Sequence, residues 1–587
     1  DDGLGVLAAA EGGLEFKNCS TGGLTVNAAL DASGAEGKRT TVLPGGNETT
    51  LAGGTTGGEA KALDLAVAGS TLKLTGGKTF DIASLNVLSN DATLAESTLV
   101  VDGANVRASG TNELYVGYTR AFKTASDRVF ARMVVTNALW CHTSVTNKSF
   151  PQRGSGVDYY ADSALCVGGR SVGVLEVRDG GVITNRLIAG GSFQTYGDPA
   201  LGLVRVVGGE LATLGANGDN YQDSTVIGWR SYGAGSVCLE RGRFVSLGTA
   251  NVGVYGHGTF HQTGGTALFR CNVNTQGSGY LRLGGSNTGS GFYSLLGGTA
   301  IVSNQIGMAY TYSGDATCQI AVDGEDALFD NVNKRVLMNP NVYNGSKSRA
   351  TVGLRRGTFR CAGFYANSQY PTKDRSVWTN GIGAVVFNGG TLRLGDSGKD
   401  VFKCDCVNDA YGVDAYVCEG GATVDTDGKT GNFSTRPFAG ATGSGVASVD
   451  LAEPLENVLS VPQVIITGDG TGAVAVVEYD ADAKRVSGVR IVTPGSGYTS
   501  ATAKICHSQN SVVKSGVPCT LGQNGAGQDF TKKGEGDFTF MAENTYGGKT
   551  ILEGGTLVLG VPNALPATTT IVPRGGVIEA TADNFPA

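Results

Sequence analysis

A short motif recurs along this chain: an alternating apolar stretch runs into a glycine pair, an Arg-Gly or an Asp-Gly, and continues as a second apolar stretch. One copy reads Val385-Val-Phe-Asn-Gly-Gly-Thr-Leu-Arg-Leu394. From Gly209 onward the second members of these pairs are spaced 33, 23, 33, 26, 33, 33 and 31 residues apart. Such recurrence predicts a solenoid, because each unit buries its apolar face only by stacking on the next. The pairs are Gly180-Gly181, Gly208-Gly209, Arg241-Gly242, Gly264-Gly265, Gly297-Gly298, Asp323-Gly324, Arg356-Gly357, Gly389-Gly390, Gly420-Gly421, Gly554-Gly555 and Gly575-Gly576.

The apolar residues of each unit alternate with other residues at a period of two, as Val352 and Leu354 do, so the units are strands rather than helices. A glycine at a fixed place in each unit predicts a corner that needs a positive φ or a close approach of two backbones. We therefore predict an all-β chain folded as a right-handed parallel β-helix with a small inserted β domain. Each coil, meaning one turn of the β-helix, adds about 4.8 Å along the axis.

Composition and charge limit the functional classes. Glycine is 93 of 587 residues and charged residues are 17%, which suits short strands and tight corners. A net charge of -7 without a basic cluster argues against nucleic acid or an anionic membrane surface as partner. No apolar run approaches the roughly 20 residues of a transmembrane helix. The sequence begins Asp1-Asp2 without a leader, which is typical of a mature secreted product and equally of an artificial boundary.

The repeat is not uniform along the chain. Residues near Trp140, Tyr159 and Tyr160 lack a glycine pair, which predicts an excursion from the solenoid. A terminal coil is an open sheet edge that needs a cap, and the degenerate first region is our candidate for it. The predicted regions are a degenerate N-terminal β-helix or cap (1–130), the excursion (131–165), a regular β-helix core (166–445), an inserted β module (446–525) and C-terminal coils (526–587).

The module carries its own glycine-rich pattern. It contains Thr467-Gly-Asp-Gly-Thr-Gly-Ala-Val-Ala-Val-Val477 and Gly488-Val-Arg-Ile-Val-Thr-Pro-Gly-Ser-Gly-Tyr-Thr-Ser500. These two alternating strands with glycine-rich flanks resemble a small β module of bacterial surface proteins and phage tail fibres, whose mark is Gly-Ser-Gly-Tyr-Thr-Ser. The resemblance implies an inserted β domain and implies no chemistry.

The C-terminal region carries the second resemblance. Asn544-Thr-Tyr-Gly-Gly-Lys-Thr-Ile-Leu-Glu-Gly-Gly-Thr-Leu-Val-Leu-Gly560, preceded by Phe538-Thr-Phe540, is similar to the autotransporter-associated β-strand repeat of bacterial passenger domains. This copy is one residue shorter than the family pattern between the tyrosine and the next glycines. The resemblance implies a Gram-negative-type cell, export, and an extracellular or cell-surface location. Members generally end in an outer-membrane barrel or a sorting signal, and this sequence stops at Ala587 before either, so we expect the full chain to be longer or cut.

Twelve cysteines are too few for a disulfide scaffold in a chain of this length. Cys318, Cys361 and Cys418 stand at repeat positions that hold Val, Leu or Phe in other units. The simplest interpretation of these three is a small buried apolar side chain.

Other cysteines are disulfide candidates. Cys506 and Cys519 bracket a loop that contains Ser, Gly and Pro, and a bridge between them would close it. A second bridge is a candidate among Cys404, Cys406 and Cys418. A zinc site is the alternative to a disulfide for Cys404 and Cys406. A zinc site usually has a second close cysteine pair or a nearby histidine, and the sequence has neither there.

The β-helix class also contains polysaccharide lyases and hydrolases, and some residues of the chain bear on an enzymatic function. His257 in Gly256-His257-Gly258 resembles the Gly-His-Gly of polygalacturonases, but the other motifs of that family are absent, which favours a turn residue at a coil corner. Glycosidic hydrolysis needs two carboxylates roughly 5 to 10 Å apart, and Asp223 is one aspartate that alanine replacement would test. The weak calcium candidates for a lyase are Asp425 and Asp427, in a segment where Asp favours turns. No cofactor is predicted.

Aromatic clusters raise the question of glycan binding. Rings stacked on one lateral face suit sugars, whereas rings that pack on the coils are the simpler interpretation. The residues concerned are Tyr310, Tyr312, Phe364, Tyr365, Tyr370 and Trp378.

The leading functional hypothesis is a non-enzymatic extracellular structural protein: a β-helical rod that is a surface stalk, an adhesin or a subunit of a self-assembling filament. Its expected partners are other copies of itself, joined head to tail through an end coil, or other surface components, with glycans as a further class. Ile571 and Val577 in the last coil are the assembly candidates. The alternatives are a carbohydrate-active β-helix enzyme and a glycan-binding module.

Overall fold

The fold is taken from a computed structural model. The residues that it describes contain strands and no helix. They are 6–8, 17–18, 23–31, 41–42, 45–46, 48–56, 62–88, 96–109, 114–118, 130–142, 164–169, 171–191, 200–214, 223–229, 233–253, 256–270, 280–285, 289–309, 316–338, 348–366, 382–404, 413–508 and 511–581.

The strands are numbered in chain order. Those before residue 250 are β1 (Val6–Ala8), β2 (Lys17–Asn18), β3 (Leu24–Val26), β4 (Ala29–Asp31), β5 (Thr41–Val42), β6 (Gly45–Gly46), β7 (Thr49–Leu51), β8 (Leu63–Ala68), β9 (Thr71–Leu74), β10 (Thr79–Leu88), β11 (Ser97–Asp102), β12 (Asn105–Ala108), β13 (Leu114–Tyr118), β14 (Phe130–Thr136), β15 (Leu139–His142), β16 (Ala164–Val167), β17 (Val172–Arg178), β18 (Val182–Gly191), β19 (Ala200–Thr213), β20 (Asp223–Trp229) and β21 (Gly233–Ser246).

The next group runs to the inserted module. It comprises β22 (Thr249–Val252), β23 (His257–Gln262), β24 (Thr266–Phe269), β25 (Tyr280–Leu283), β26 (Ser290–Leu295), β27 (Thr299–Val302), β28 (Gln305–Met308), β29 (Thr317–Asp330), β30 (Arg335–Met338), β31 (Arg349–Cys361), β32 (Gly363–Ala366), β33 (Ile382–Phe387), β34 (Thr391–Leu394), β35 (Phe402–Cys404), β36 (Val413–Val417), β37 (Ala422–Asp425), β38 (Asn432–Ser434) and β39 (Phe438–Gly440). The last group comprises β40 (Ser444–Val449), β41 (Gln463–Gly468), β42 (Val474–Asp480), β43 (Arg485–Thr493), β44 (Ala501–Ser508), β45 (Ser511–Gln523), β46 (Phe530–Lys533), β47 (Asp537–Phe540), β48 (Thr550–Leu559) and β49 (Ile571–Ala580).

Parallel pairing from coil to coil defines the fold. The chain divides into two compact units, Asp1–Ala250 with Gly265–Gly279, and Asn251–Gly264 with Tyr280–Ala587. Within the first unit, β14 pairs with β17, β17 with β19, and β19 with β21, all in parallel. Within the second, β23 pairs with β26, then β29, β31, β33 and β36 follow in the same way. The prediction of an all-β parallel β-helix is confirmed.

Aromatic rings fill the interior of the second unit. Phe329 stacks on Phe359 at 4.8 Å between ring centroids, and Tyr293 stacks on Phe260 at 4.7 Å. Contacts of this kind contribute about 0.5–1.5 kcal/mol each beyond the burial of their area. The series continues through Phe364, Phe402 and Phe438.

The recurring glycines lie at corners where successive coils touch. Gly357 has a φ of +80°, and a Cβ there would lie 2.5 Å from the carbonyl oxygen of Gly324 in the preceding coil. Gly576, also at +80°, has the same relation to Gly555, again at 2.5 Å. A larger residue would have to adopt a left-handed backbone and also separate the coils. The glycine periodicity therefore records the spacing of the corners.

The structure corrects one part of the predicted excursion at 131–165, the part up to residue 142. Strand β14 pairs with β11 and β17, and β15 pairs with β12 and β18, so residues up to His142 are part of the coils. Trp140 is fully buried inside them. The corner between β14 and β15 is made by Asn137, with a φ of +47°, a conformation that asparagine tolerates. The missing glycine pair misled the prediction, and residues 143–163, with Tyr159 and Tyr160, lie outside the described part.

An antiparallel module interrupts the coils of the second unit. Strands β40, β45, β44 and β41 form one antiparallel sheet, and β42 and β43 form a hairpin. The chain leaves and returns at one point, because the Asn524 N–H donates to the Gly443 carbonyl at 2.9 Å. Coil strand β37 then pairs directly with β46, which follows the module.

A buried lysine joins the coils on either side of this insertion. The Lys532 ammonium, on β46, donates to the Thr426 hydroxyl at 3.0 Å and to the carbonyl oxygens of Gly534 and Gly554 at 2.8 and 2.9 Å. Burial is the main cause that lowers the pKa of Lys532 to about 8. Backbone oxygens thus satisfy an ammonium that the coil encloses.

Candidate functional site: the surface beneath the module

The module packs on one outward surface of the second unit, here called the covered face. On β23 and β26 every residue is buried, on the outward as well as the inward side. Inward residues such as Phe260 and Tyr293 belong to the aromatic core. The outward residues of the covered face are His257, Thr259, His261, Ser290, Phe292, Ser294, Gln319, Ala321, Asp323 and Gly353.

A chain of three polar side chains joins the covered face to the module. The Ser290 hydroxyl donates to Gln463 Oε1 of β41 at 2.5 Å, and His257 Nδ1 lies 2.5 Å from the same hydroxyl oxygen. Gln463 Nε2 in turn donates to the Gly258 carbonyl at 2.8 Å. Because the serine has a single hydrogen, which goes to Gln463, His257 donates its Nδ1–H to Ser290. His257 is therefore a buried strand residue, and its prediction as a turn residue at a coil corner is wrong.

His261 is the second histidine of the covered face. Its Nδ1 lies 2.8 Å from the hydroxyl oxygen of Ser294, and the ring is buried. Burial, followed by the charge of Arg490, lowers the pKa of His261 to about 4. Burial, followed by the charge of Lys504, lowers the pKa of His257 to about 4. Both imidazoles are therefore neutral at pH 7.

Asp323 is an ionic anchor between coil and module. Its carboxylate is fully buried and accepts from Arg356 Nε at 2.8 Å, from Arg355 at 3.3 Å and from Arg490 of the module at 3.3 Å. The hydrogen bond to Asp323 raises the pKa of Arg356. Removal of this buried carboxylate should be strongly destabilising, because it leaves three guanidinium groups close together without the negative charge that they share.

Apolar contacts complete the covered face. Ala321 packs with Val474, Val476 and Val492 of the module. A Cβ on Gly353 would lie 3.1 Å from the Val474 Cβ, so glycine leaves room for the module strand. These residues form a hydrophobic cluster of their own between the coils and the module.

A small cavity remains between the two layers. Its volume is about 20 Å³, and its lining includes His261, Ser294 and Gln319 from the coils and Val461 and Pro462 from the module. Gln319 Oε1 is buried and has no hydrogen-bond partner among the described residues. A space of this size holds one water molecule rather than a substrate.

The glycine-rich motif of the module has a structural role. Asp469 accepts hydrogen bonds from the backbone N–H groups of Thr499 and Ser500 at 2.9 and 3.1 Å, and from the Thr499 hydroxyl. These bonds, led by the hydroxyl, lower the pKa of Asp469 to about 2. A Cβ on Gly470 would lie 2.4 Å from the Tyr498 ring. The Gly-Asp-Gly and Gly-Tyr-Thr-Ser sequences thus tie two strand ends together.

The disulfide predictions are corrected. Cys506 and Cys519 are free thiols. Thr502 pairs with Pro518, so Cys519 lies beside Ala501, five residues along β44 from Cys506. The two cysteines are therefore roughly 16 Å apart along the hairpin, too far for a bridge.

Cys418 is likewise a free, buried thiol and forms no second bridge. The Cys404 side chain and Cys406 lie outside the described part. Cys318 and Cys361 are buried as predicted, and burial raises the pKa of each thiol to about 12.

The calcium candidates make an ion pair and a turn. Asp425 accepts from Arg393 Nε of the neighbouring coil at 3.1 Å and from the Asp427 N–H at 3.0 Å. Asp427 has a φ of +49° and lies 3.9 Å from the Lys429 ammonium. No group of three or more possible metal ligands occurs in the ranges given above. The contacts of Asp425 and Asp427 are those of an ion pair and a satisfied turn.

The aromatic candidates separate into core and surface. Phe364 is an interior residue, stacked on Phe402 at 5.8 Å. Tyr365 is half-buried, with Arg335 5.3 Å and Lys403 5.5 Å from its ring centroid. Tyr310, Tyr312, Tyr370, Trp378 and the side chain of Asp223 lie outside the described residues.

The assembly candidates lie on the terminal described strand. Ile571 and Val577 on β49 are 46% and 58% exposed. Strand β49 pairs in parallel with β48, and no other strand of the described ranges pairs with its second edge.

Sequence reasoning missed the residues that connect module and coils: His261, Gln463, Arg490 and Asp323. One signal was present. In Ser290-Gly-Phe-Tyr-Ser-Leu295 the alternation of apolar and polar residues is lost, as expected for a strand covered on both sides.

The chain matches no protein-family model, no curated protein and no solved structure. Fold and site together define the class as a parallel β-helix that carries an inserted antiparallel β module. Within the described part, no helix is long and apolar enough to cross a membrane.

Proposed function

We propose that this chain is a non-enzymatic extracellular structural protein, a β-helical rod that is a surface stalk, an adhesin or a subunit of a self-assembling filament. The observation that carries the proposal is the parallel pairing of backbone from coil to coil, with aromatic rings stacked inside. Such an architecture repeats a simple unit and derives its function from length and stiffness.

Ion pairs between coils support the same proposal. Glu176 is buried and contacts Arg132 of the preceding coil at 2.7 Å, Arg178 at 2.6 Å and Arg205 of the following coil at 3.7 Å. Arg107 and Asp81 form a similar pair at 2.8 Å. Carboxylates that neutralise arginines on adjacent coils reinforce the stacking of those coils.

A bacterial, exported origin is proposed from the C-terminal resemblance. In the structure, the residues of that motif hold coil corners together. Asn544 Oδ1 accepts from the Phe438 N–H at 2.8 Å, and its Nδ2 donates to the Ala564 carbonyl at 2.6 Å. The Tyr546 hydroxyl lies 2.6 Å from that of Thr550. These structural roles support the proposed passenger-type repeat, and the cell-surface location is inferred from that resemblance alone.

Self-association through β49 is the specific form of this proposal. An exposed strand edge pairs with another strand when one is presented, and Ile571 and Val577 add apolar surface beside it. Proline at either position should abolish oligomers seen by analytical ultracentrifugation. Thermal unfolding of each variant controls for damage to the coil that contains β49. Oligomers that survive both substitutions rule out assembly through this strand.

Electron microscopy of the mature protein at neutral pH, by negative stain, tests the general proposal. Ordered filaments support a structural subunit, and dispersed rods support a stalk or adhesin. A parallel screen with polysaccharides tests the alternative, a carbohydrate-active enzyme or glycan-binding module. Turnover that disappears in Asp223→Ala or His257→Ala would overturn the non-enzymatic proposal.

A further inference from the structure

We propose that the inserted module is held on the covered face by an acid-labile latch, in which protonation of His257 and His261 releases the module from the coils. The inference concerns the module contact and does not depend on the proposed extracellular role.

The geometry places both imidazoles between two layers. His257 and His261 are on the outward side of β23, about 13 Å apart along the strand, and both are buried under the module. The neutral form of His257 satisfies the hydrogen bonds of this contact, because its Nδ1–H donates to the Ser290 hydroxyl, which in turn donates to Gln463 Oε1 of the module. A second proton on either ring puts a buried charge into this contact, and such a charge is costly unless it is paired.

The module groups whose charge acts on these two rings are cations. Lys504 of β44 acts on His257, and Arg490 of β43 acts on His261. From β26 the neighbours are the neutral hydroxyls of Ser290 and Ser294. Protonated histidines would therefore meet like charges on the opposite layer.

The carboxylates at this contact are held by the same arginine. Asp323 of β29 and Glu478 of β42 lie 3.3 and 3.5 Å from Arg490. Their negative charge offsets the guanidinium groups around them. The cavity beside His261 has room for one water molecule.

The lowered pKa values give the direction and the pH window. Each histidine has a pKa of about 4 in the docked state, against 6.5 when exposed. The released state therefore binds more protons, so docking is complete above pH 6.5 and weakens as pH falls toward 4. At about pH 5 the docking equilibrium constant falls roughly 30-fold per histidine, and on the order of 900-fold for both.

Cys506 is a natural reporter of release. It lies directly across from Gln463 in the β41–β44 pair, so its side chain shares the face that contacts the coils, and it is buried. Cys361 is buried inside the coils and reports unfolding of the β-helix. The full chain is labelled with dithiodipyridine at pH 7 and at about pH 5, and the labelled cysteines are located by peptide mass spectrometry. Because thiol reactivity itself depends on pH, each labelling rate is divided by the rate of the denatured chain at the same pH.

We expect normalised labelling of Cys506 to rise at least about tenfold at the lower pH, while Cys361 stays protected. The double variant His257→Gln/His261→Gln, which keeps amide donors but cannot ionise, should keep Cys506 protected. His507→Gln, on β44 next to Cys506, is the matched control and should respond like the unmodified protein. If the double variant exposes Cys361 at pH 7, the single variant His261→Gln replaces it. Its docking equilibrium constant should fall roughly 30-fold at about pH 5 instead of about 900-fold, so Cys506 should be labelled more slowly than in the unmodified protein.

Three results would overturn the latch. In the first, Cys506 stays protected at the lower pH. In the second, Cys361 becomes reactive together with Cys506, which means that the β-helix itself unfolds. In the third, Cys506 of the double variant becomes reactive as in the unmodified protein, which assigns the effect to groups other than the two histidines.

Discussion

Strand β29 has two halves with similar interiors and different exteriors. In the first half, Ile320 faces the core while Gln319 and Ala321 face outward and are buried under the module. In the second half, Phe329 faces the core while Asp330 faces outward and is partly exposed. Parallel pairing and inward packing are thus the same on both sides, and only the module distinguishes them.

This difference separates two uses of a solenoid. The interior and the corners build the β-helix, and they repeat from coil to coil. The outward positions of a few strands build a contact that occurs once, and their residues follow the inserted module rather than the repeat. Substitutions of inward residues should therefore have similar stability costs in the two halves of β29 and β31. Substitutions of outward residues should have different costs in the two halves.

The largest loss of stability is expected for substitutions of interior residues, and it should be similar in the two halves of β29. Phe329→Ala removes a ring stacked on Phe359 at 4.8 Å and should cost about 3–5 kcal/mol. Ile320→Ala, under the covered face, should cost about 2–5 kcal/mol. Both should lower the thermal midpoint and speed labelling of Cys361. A mild effect in one half alone would show that the two halves do not share one core.

The next effect contrasts the two aspartates of β29. Asp323→Ala leaves Arg355, Arg356 and Arg490 facing one another and should cost about 3 kcal/mol of stability. Asp330→Ala removes a partly exposed partner of Arg360 and should cost less than about 1 kcal/mol. Denaturant titration of each variant measures the contrast, and equal costs would remove the distinction between the faces.

A smaller effect is expected from the size of outward residues on β31. Gly353→Val places methyl groups where Val474 and Thr493 of the module already lie, and should cost about 1–3 kcal/mol. Thr358→Val, at an open outward position of the same strand, should change stability by less than about 0.5 kcal/mol. Hydrogen exchange of peptides from the module gives the readout. Protection unchanged by Gly353→Val would mean that the module does not pack closely on β31.

The smallest effect concerns the exposed ion pair. A double-mutant cycle on Asp330 and Arg360, which lie 3.2 Å apart, should give a coupling of about 0.2–1 kcal/mol. This coupling should vanish near 1 M salt, where the screening length is about 3 Å. The corresponding cycle on Asp323 and Arg356 should retain most of its coupling, since the carboxylate is buried. Equal salt sensitivity would contradict the difference in burial.

The repetitive part of the molecule could be predicted from sequence because it depends on local pattern. Period-two alternation indicated strands, and glycines such as Gly357 indicated corners. The prediction failed where the corner lacks a glycine. Asn137 adopts the left-handed conformation there, and Trp140 is buried in a coil where an excursion from the solenoid was predicted.

The covered face could not be predicted, because its contacts join residues far apart in the chain. Ser290 meets Gln463 and Asp323 meets Arg490, across gaps that no local pattern spans. The Cys506–Cys519 prediction failed for the same reason, since proximity in sequence does not give strand register. His257 was noticed for a short motif, whereas its burial depends on a module more than a hundred residues away.

The meeting of the module's two ends has a consequence for folding kinetics. Strand β37 pairs with β46 across the intervening module, and an unfolded segment there would impose a loop-closure cost that rises by about 0.6 kcal/mol for each doubling of its length. Pairing of β40 with β45 inside the module brings Gly443 and Asn524 together. Once the module has folded, the next coil is effectively a local addition, so β46 to β48 should acquire structure after the module and at a rate limited by it.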